Sequence, residues 1–397
     1  MTRTHLPARL AATALAAVLA VGCTAETLTT NPPSPPSTIP TVPLPPTSSA
    51  APTSSSTPTT SAAPTTSSAP DDQVQRLLDK WASEGSGGVA VALAGHDKEL
   101  TVAAAGSAGP DGGNVETGSA FRVGSLAKTF VAVMLLQLVD DGTIGLDDLV
   151  VEHAPELTIT DGVTVRQLLA HRSGLPEYAD GELAPAVLAD PARTWTPADV
   201  LELVAGQPRD FAPDAQFAYS NTNYIVAGLL LEGVTGMTLA ENLQSLIVEP
   251  LGLLSTYFAP DETRSPIGGF SNSLPGGDTN GDSYRALETA AGAAGSLVST
   301  APDLAIFIRA LAHGEILDET TYAEMTTGLP NDGHTLSVFA ADPPSTTGIS
   351  NTGNIPGFIA YMQYDPVTED LFVLLLNDDT RSPEQLGTDL SEVIRNI

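Results

Sequence analysis

Two side chains that can do chemistry stand one helical turn apart in a strongly apolar stretch. Ser125 and Lys128 belong to the segment FRVGSLAKTFVAVMLLQLVDDG, in which nearly every residue from Leu126 to Val139 is apolar. Residues three apart on a helix share a face, so the hydroxyl and the ammonium can meet. Burial lowers the pKa of a lysine, and a partly neutral lysine can serve as the base for a serine nucleophile. The pair therefore indicates a nucleophilic serine.

The same pair also has a purely structural interpretation. Ser125 could cap the helix, and the long stem of Lys128 could carry its ammonium to the surface. If the helix instead presents Ser125 to a substrate, the backbone N–H at the positive end of the helix dipole can help to hold an oxyanion. A helix that is apolar on all faces is expected in the core of a large domain.

Two further polar stretches could bring side chains to the same site. In the sequence FAYSNTNY, Tyr219 could act as a phenolate base, and Asn221 could orient Lys128 or bind a substrate amide. In the sequence SNTGNIPGF at Ser350–Phe358, small residues at a strand edge would let a substrate backbone approach closely. The structural alternatives are a helix-capping turn with a packed tyrosine and a glycine-rich hairpin.

Hydrophobic periodicity predicts the elements that position these stretches. A short amphipathic helix begins near Asp71, two strands follow, and residues 143–330 read as mostly helical, with a surface loop at 265–282. The chain then returns to strands and closes with a helix, at His334–Ala340, Gly348–Gly353, Phe358–Tyr364, Leu371–Leu376 and Pro383–Asn396. We therefore expect an α+β fold with one antiparallel sheet built from both termini, flanked by helices. A mostly helical inserted region lies alongside, and the site is expected in the cleft between them.

The first 70 residues are predicted to lie outside the folded domain of residues 71–397. Residues 1–23 resemble a secretory signal, with Arg3 and Arg9 ahead of an apolar run too short for a comfortable membrane span. The run ends in LAVGC, which resembles a bacterial lipobox and predicts a membrane anchor on lipidated Cys23; an unlipidated signal peptide is the alternative. Residues 24–70 are rich in Ser, Thr, Pro and Ala and read as a disordered linker. The domain is thus expected in the cell envelope or, without the lipid, secreted.

Charge and cysteine content exclude several classes of function. The formal net charge is -31, and such a surface repels phosphate backbones, so nucleic-acid binding is not expected. Cys23 is the only cysteine, so no internal disulfide can form.

Together the polar stretches resemble the serine β-lactamase and penicillin-binding-protein superfamily, in its class C-like branch. That branch includes class C β-lactamases, D-alanyl-D-alanine carboxypeptidases and family VIII esterases. Ser125-Leu126-Ala127-Lys128 matches the first motif, Tyr219-Ser220-Asn221 matches the Tyr-x-Asn motif, and Asn351-Thr352-Gly353 falls where the family carries Lys- or His-x-Gly. The stretches LLAHRSGLP and GSLVSTAPDL support the resemblance, which spans the whole predicted domain.

The resemblance implies a serine hydrolase of the β-lactamase/transpeptidase-like fold that works through an acyl-enzyme on an amide or ester. Ser125 would be the acylated nucleophile, and Lys128 and Tyr219 would share its proton. Asn221 would position the amide side of a small-molecule or peptide substrate. The resemblance implies no metal and no cofactor.

The opposite wall of the implied site comes from the third motif. The N–H groups of Ser125 and Asn354 would form the oxyanion hole, and Asn351 and Gly353 would face the substrate. Asn351 departs from the family pattern because it offers hydrogen bonds but no positive charge. We therefore expect weaker recognition of a substrate carboxylate, which His334 on a neighbouring predicted strand could offset.

The resemblance leaves several functions open. A carboxypeptidase or β-lactamase-related activity competes with a carboxylesterase of the same fold, and a non-catalytic binding protein that retains the fold is the alternative from another class. His171 is a candidate triad base, although a structural role in its loop is the favoured interpretation.

Overall fold

The computed structural model describes residues 70–95, 98–261, 263–274, 279, 284–327, 335–340 and 348–396. The predicted signal segment with Cys23, the predicted linker and His334 lie outside the described residues. In the described part of the chain no single helix is long and apolar enough to cross a membrane, and only the bent pair Thr222–Thr235 and Leu239–Leu251 passes that test together.

The strands form two sheets. Their bounds are β1 Gly88–Ala94, β2 Thr101–Gly106, β3 Phe121–Arg122, β4 Tyr257–Phe258, β5 Leu297–Ser299, β6 Phe339–Ala340, β7 Ile349–Ile355, β8 Phe358–Tyr364 and β9 Leu371–Leu376. The larger sheet has the order β2-β1-β9-β8-β7-β6, and all its pairings are antiparallel. An antiparallel sheet built from both termini of the domain, as predicted from the sequence, is confirmed.

Helices cover both faces of this sheet. Their bounds are α1 Pro70–Ser83, α2 Leu126–Asp140, α3 Val150–His153, α4 Val165–Leu169, α5 Leu183–Ala189, α6 Pro197–Glu202, α7 Thr222–Thr235, α8 Leu239–Leu243, α9 Glu249–Leu251, α10 Arg285–Gly295, α11 Ala301–Ala312, α12 Glu319–Thr326 and α13 Glu384–Asn396. The terminal helices α1 and α13 pack on one face, and α11 packs on the other. Strand β9 is buried at every position because both of its faces are covered.

Helix α2 lies in the centre of the molecule. It packs against α7, α10 and β7, and all but three of its residues are buried. Phe130 stacks on Phe307 of α11 with ring centroids 3.7 Å apart. A helix that is apolar on all faces has no side to present to water, so it ends up enclosed by other elements. Its first turn is thereby fixed beside the sheet and the inserted helical region.

The inserted region departs from the sequence prediction in two places. β4 and β5 of this region join β3 in a second, three-stranded sheet that the prediction of a mostly helical region missed. Each of these strands has two or three residues, which is too short for a readable period. The predicted surface loop at 265–282 is largely buried where it is described, since Ser271, Ser273, Leu274 and Thr279 are all buried.

Candidate active site

Ser125 is held between a phenol and an ammonium at the start of α2. Its Oγ lies 2.7 Å from Oη of Tyr219 and accepts a hydrogen bond from Nζ of Lys128 at 3.0 Å. The Ser125 side chain makes no capping hydrogen bond to the helix. The geometry therefore favours the chemical interpretation of this hydroxyl over the capping one.

Lys128 is buried rather than extended to the surface, with 2% of its area exposed. Besides Ser125, its Nζ donates to Oδ1 of Asn221 at 2.8 Å and to the carbonyl oxygen of Ala294 at 2.6 Å. Three acceptors match the three N–H groups of a protonated amine. The ammonium also lies 5.0 Å from the ring centroid of Tyr219, close enough for a cation–π attraction.

His171 fixes the loop that carries Tyr219. The two rings stack with centroids 4.5 Å apart. Nδ1 of His171 accepts the backbone N–H of Ser220 at 3.1 Å, so this nitrogen carries no proton. His171 itself has a φ of 55°, in the left-handed region. This arrangement suits the structural role that the sequence favoured for His171.

Strand β7 lies directly against the turn that carries Ser125. A Cβ on Gly353 would stand 1.9 Å from the carbonyl oxygen of Val123, and a Cβ on Gly124 would stand 2.8 Å from the backbone nitrogen of Asn354. Only glycine permits such close approach of two backbones. Gly353 therefore serves strand packing, and the backbone of Asn354 comes to lie beside Ser125.

Asn351 is buried in the wall of the cleft, and its amide is used within the protein. Its Nδ2 donates to Oγ1 of Thr129 at 2.6 Å and to the carbonyl oxygen of Ser337 at 2.9 Å. Its Oδ1 accepts the backbone N–H of Thr352 at 2.7 Å. Asn351 thus anchors the segment around Ser337 and also lines the cleft, and its contact with substrate stays a prediction.

An open cleft in front of Ser125 encloses about 340 Å³, including space continuous with solvent. Its lining is Ser125, Lys128, His171, Phe217, Tyr219, Thr335, Ser337, Val338, Asn351 and Thr352. Hydroxyl, amide and apolar groups dominate this lining. The described residues contain no cluster of His, Cys, Asp and Glu that could hold a metal ion.

Glu177 belongs to the site and was missed from the sequence. Its carboxylate accepts the backbone N–H groups of Asn221 at 2.5 Å and of Ala179 at 2.7 Å. Burial raises the pKa of the Glu177 carboxyl, while these hydrogen bonds and the charge of Lys128 oppose the rise. A single glutamate in a loop carries no spacing signal, so nothing in the sequence pattern pointed to it.

The model of the family called Beta-lactamase matches residues 72–393. The chain belongs to the Beta-lactamase family of serine hydrolases. The family resemblance stated from the sequence motifs is thereby confirmed.

Curated relatives of this Beta-lactamase family chain include two penicillin-binding proteins. Penicillin-binding protein 4* of Bacillus subtilis is 31% identical over 144 residues, which is 36% of this chain and 31% of that protein. Penicillin-binding protein 4 of Amycolatopsis lactamdurans is 32% identical over 158 residues, which is 37% of this chain and 38% of that protein. The chain therefore spans about a third of the length of these relatives.

Solved structures match the Beta-lactamase family domain over a much larger share. D-amino acid amidase from Ochrobactrum anthropi SV3, in complex with L-phenylalanine amide, is 28% identical with a TM-score of 0.70, covering 83% of this chain and 99% of that chain. A D-stereospecific amidohydrolase from Streptomyces sp. is 28% identical with a TM-score of 0.68, covering 81% of this chain and 97% of that chain. The predicted β-lactamase/transpeptidase-like fold is confirmed.

Proposed function

We propose that this domain hydrolyses an amide bond through an acyl-enzyme formed on Ser125. The observation that carries the proposal is the contact of one serine oxygen with both Tyr219 and Lys128 at the floor of the cleft. A serine hydroxyl is a weak nucleophile until a neighbouring group takes its proton. Here the phenol oxygen and the ammonium are both within reach.

The hydrogen bonds suggest how the proton moves. Lys128 donates to the serine oxygen, which leaves the Ser125 hydroxyl hydrogen able to point to the oxygen of Tyr219. The proposed step requires Tyr219 as a phenolate, which takes up this proton. Attack on the substrate carbonyl forms the C–O bond, and Tyr219 passes the proton to the leaving nitrogen as the C–N bond breaks. In the deacylation step, Tyr219 takes a proton from water and the resulting hydroxide attacks the acyl group. Tyr219 then returns the proton to the oxygen of Ser125 as the acyl group leaves.

For the substrate we propose small amides of D-amino acids. Two solved structures named for D-amino acid amide and D-stereospecific hydrolysis align along almost their entire chains. Lys128 is the only cation among the described residues that line the cleft, and it is committed to Ser125, Asn221 and Ala294. A neutral leaving group suits such a lining better than a carboxylate does.

A D-alanyl-D-alanine carboxypeptidase is the second candidate. It is supported by curated relatives such as the putative D-alanyl-D-alanine carboxypeptidase of Salmonella agona, which is 24% identical over 251 residues. A β-lactamase-related activity and a carboxylesterase would use the same serine. The remaining alternative is a binding protein, which would keep the fold and catalyse no reaction.

A substrate panel separates these candidates. It contains D- and L-phenylalanine amide, a D-Ala-D-Ala peptide, a chromogenic cephalosporin and a nitrophenyl ester, each tested with the wild type and with Ser125→Ala. We expect turnover of the D-amide above the L-amide, and none with the variant. Preference for the peptide, the cephalosporin or the ester would select that candidate instead. A folded wild type that turns over none of the five would support the binding protein.

We also propose that the domain is exported and tethered through a lipid on Cys23, with residues 24–70 as spacer. The support is the apolar run after Arg9 and the LAVGC sequence at its end. Expression of Cys23→Ala in a bacterial host should move the domain from the membrane fraction to the soluble fraction. Unchanged membrane association of that variant would contradict the anchor.

A further inference from the structure

Glu177 holds Asn221 by two different groups. The backbone N–H of Asn221 donates to the carboxylate at 2.5 Å, and the Asn221 side chain makes a second hydrogen bond to it. A carboxylate only accepts, so the side-chain donor is Nδ2. This leaves Oδ1 of Asn221 facing Nζ of Lys128, at 2.8 Å. Glu177 thereby sets the orientation of the Asn221 side-chain amide, with its oxygen toward Lys128.

The same carboxylate lies within the electrostatic reach of a buried cation. Lys128 is almost fully buried, and an isolated ammonium in such a position is costly unless an opposite charge compensates it. Burial raises the pKa of the Glu177 carboxyl, and the hydrogen bonds from Ala179 and Asn221 together with the charge of Lys128 oppose that rise. Among the described residues, Lys128 of α2 and Tyr178, the next residue along the chain, interact electrostatically with Glu177, and Tyr178 also interacts with Tyr219.

We propose that Glu177 is a positioning residue that orients Asn221 and supplies the negative charge that compensates Lys128. This inference rests on the proposed acyl transfer at Ser125, because it concerns the lysine that contacts the serine oxygen. It explains why Oδ1 of Asn221 faces the lysine. The loop after Gly174-Leu175-Pro176 would thus affect the reaction through Asn221 and Lys128, and Glu177 itself would not contact the substrate.

The first test is the pH dependence of kcat/KM for D-phenylalanine amide with Glu177→Gln. Loss of one negative charge makes every neighbouring proton easier to lose, so both limbs of the profile should move to lower pH. We expect kcat to fall by up to about 100-fold, the lower end of what a positioned acid–base group contributes. Glu177→Asp keeps the charge, and its profile should stay at the wild-type position even if kcat falls.

Glu232→Gln is the matched control. Glu232 is also partly buried and also accepts a backbone N–H, from Leu239 at 2.7 Å. It stands eleven residues along the chain from Asn221, a rise of about 16 Å on a helix. Its variant should leave kcat and the pH profile at wild-type values. A Glu177→Gln profile that superimposes on the wild type would overturn the inference, whatever happens to kcat.

A second measurement needs no turnover. Thermal unfolding of Glu177→Gln, Lys128→Met and the double variant forms a double-mutant cycle. Each single change leaves one charge without its partner, so the double variant should lose less Tm than the two single losses combined. Additive losses would contradict the charge pairing. If the wild type hydrolyses nothing on the panel while the cycle shows coupling, the proposed function fails and the pairing stands.

Discussion

The Oη of Tyr219 lies 2.7 Å from the Oγ of Ser125, although 94 residues separate them along the chain. The contact depends on the packing of α2 against α7, because Ser125 begins the first helix and Tyr219 lies just ahead of the second. No local segment could produce this contact by itself. The contact between Ser125 and Tyr219 therefore depends on the packing of the hydrophobic core.

Removal of the Tyr219 hydroxyl tests its role in proton transfer. Tyr219→Phe keeps the ring that stacks on His171, so Tm should stay near the wild-type value. We expect kcat for D-phenylalanine amide to fall about 10²- to 10⁴-fold, the range of general acid–base catalysis. Tyr361→Phe removes a hydroxyl bonded to Gln363 on β8 and should leave kcat unchanged. Wild-type kcat in Tyr219→Phe would mean that another group accepts the Ser125 proton.

The helix that carries Ser125 and Lys128 was predictable, and the internal hydrogen bonds of the opposite wall were not. The sequence of helix α2 is apolar at nearly every position and contains one lysine, and the buried ammonium of that lysine needs hydrogen-bond acceptors. The partners of Asn351 belong to distant segments, at Thr129 and Ser337. Side-chain contacts between distant segments leave no period in a sequence. For this reason the internal partners of Asn351 could not be predicted from the sequence.

Asn351→Ala tests whether Asn351 holds the segment around Ser337 in place or binds the substrate. The change removes two hydrogen bonds that the amide nitrogen donates and should cost about 1–3 kcal/mol of stability. Because the anchor holds the cleft wall for every substrate, kcat/KM should fall by a similar factor for D-phenylalanine amide and for a D-Ala-D-Ala peptide. Ser350→Ala, on the neighbouring buried position of β7 and outside the described cleft lining, is the control for a general effect on the strand. A selective loss for the carboxylate-bearing peptide would assign Asn351 to substrate binding.

Asp379 links the stability of the domain to pH. Burial raises the pKa of its carboxyl above the ordinary value of 3.8, so the fold binds this proton more readily than the unfolded chain does. Stability from this group is therefore highest at low pH and is lost as pH rises through the raised pKa. Both donors, the N–H of Gly357 and the hydroxyl of Ser271, use the same oxygen, Oδ2, which an amide oxygen can replace.

Asp379→Asn should therefore raise Tm at pH 7, by at most about 2–4 °C, and the gain should shrink below about pH 4. The measurement is thermal unfolding across that pH range. Asp141→Asn is the opposite case, because hydrogen bonds from Thr143 lower the pKa of Asp141 and its ionised form stabilises the fold. That variant should lose Tm at pH 7. A lower Tm for Asp379→Asn at pH 7 would show that the carboxylate stabilises the fold at that pH.

The assignment of Ser125 as the nucleophile is the central claim, and covalent labelling measures its reactivity most directly. The wild-type domain is treated with a fluorophosphonate probe, digested, and mapped by mass spectrometry, with folded Ser125→Ala as the control. We predict one adduct on the peptide that contains Ser125 and none on the variant. An adduct on a different serine, or no adduct on a folded wild type, would contradict the nucleophile assigned to this site.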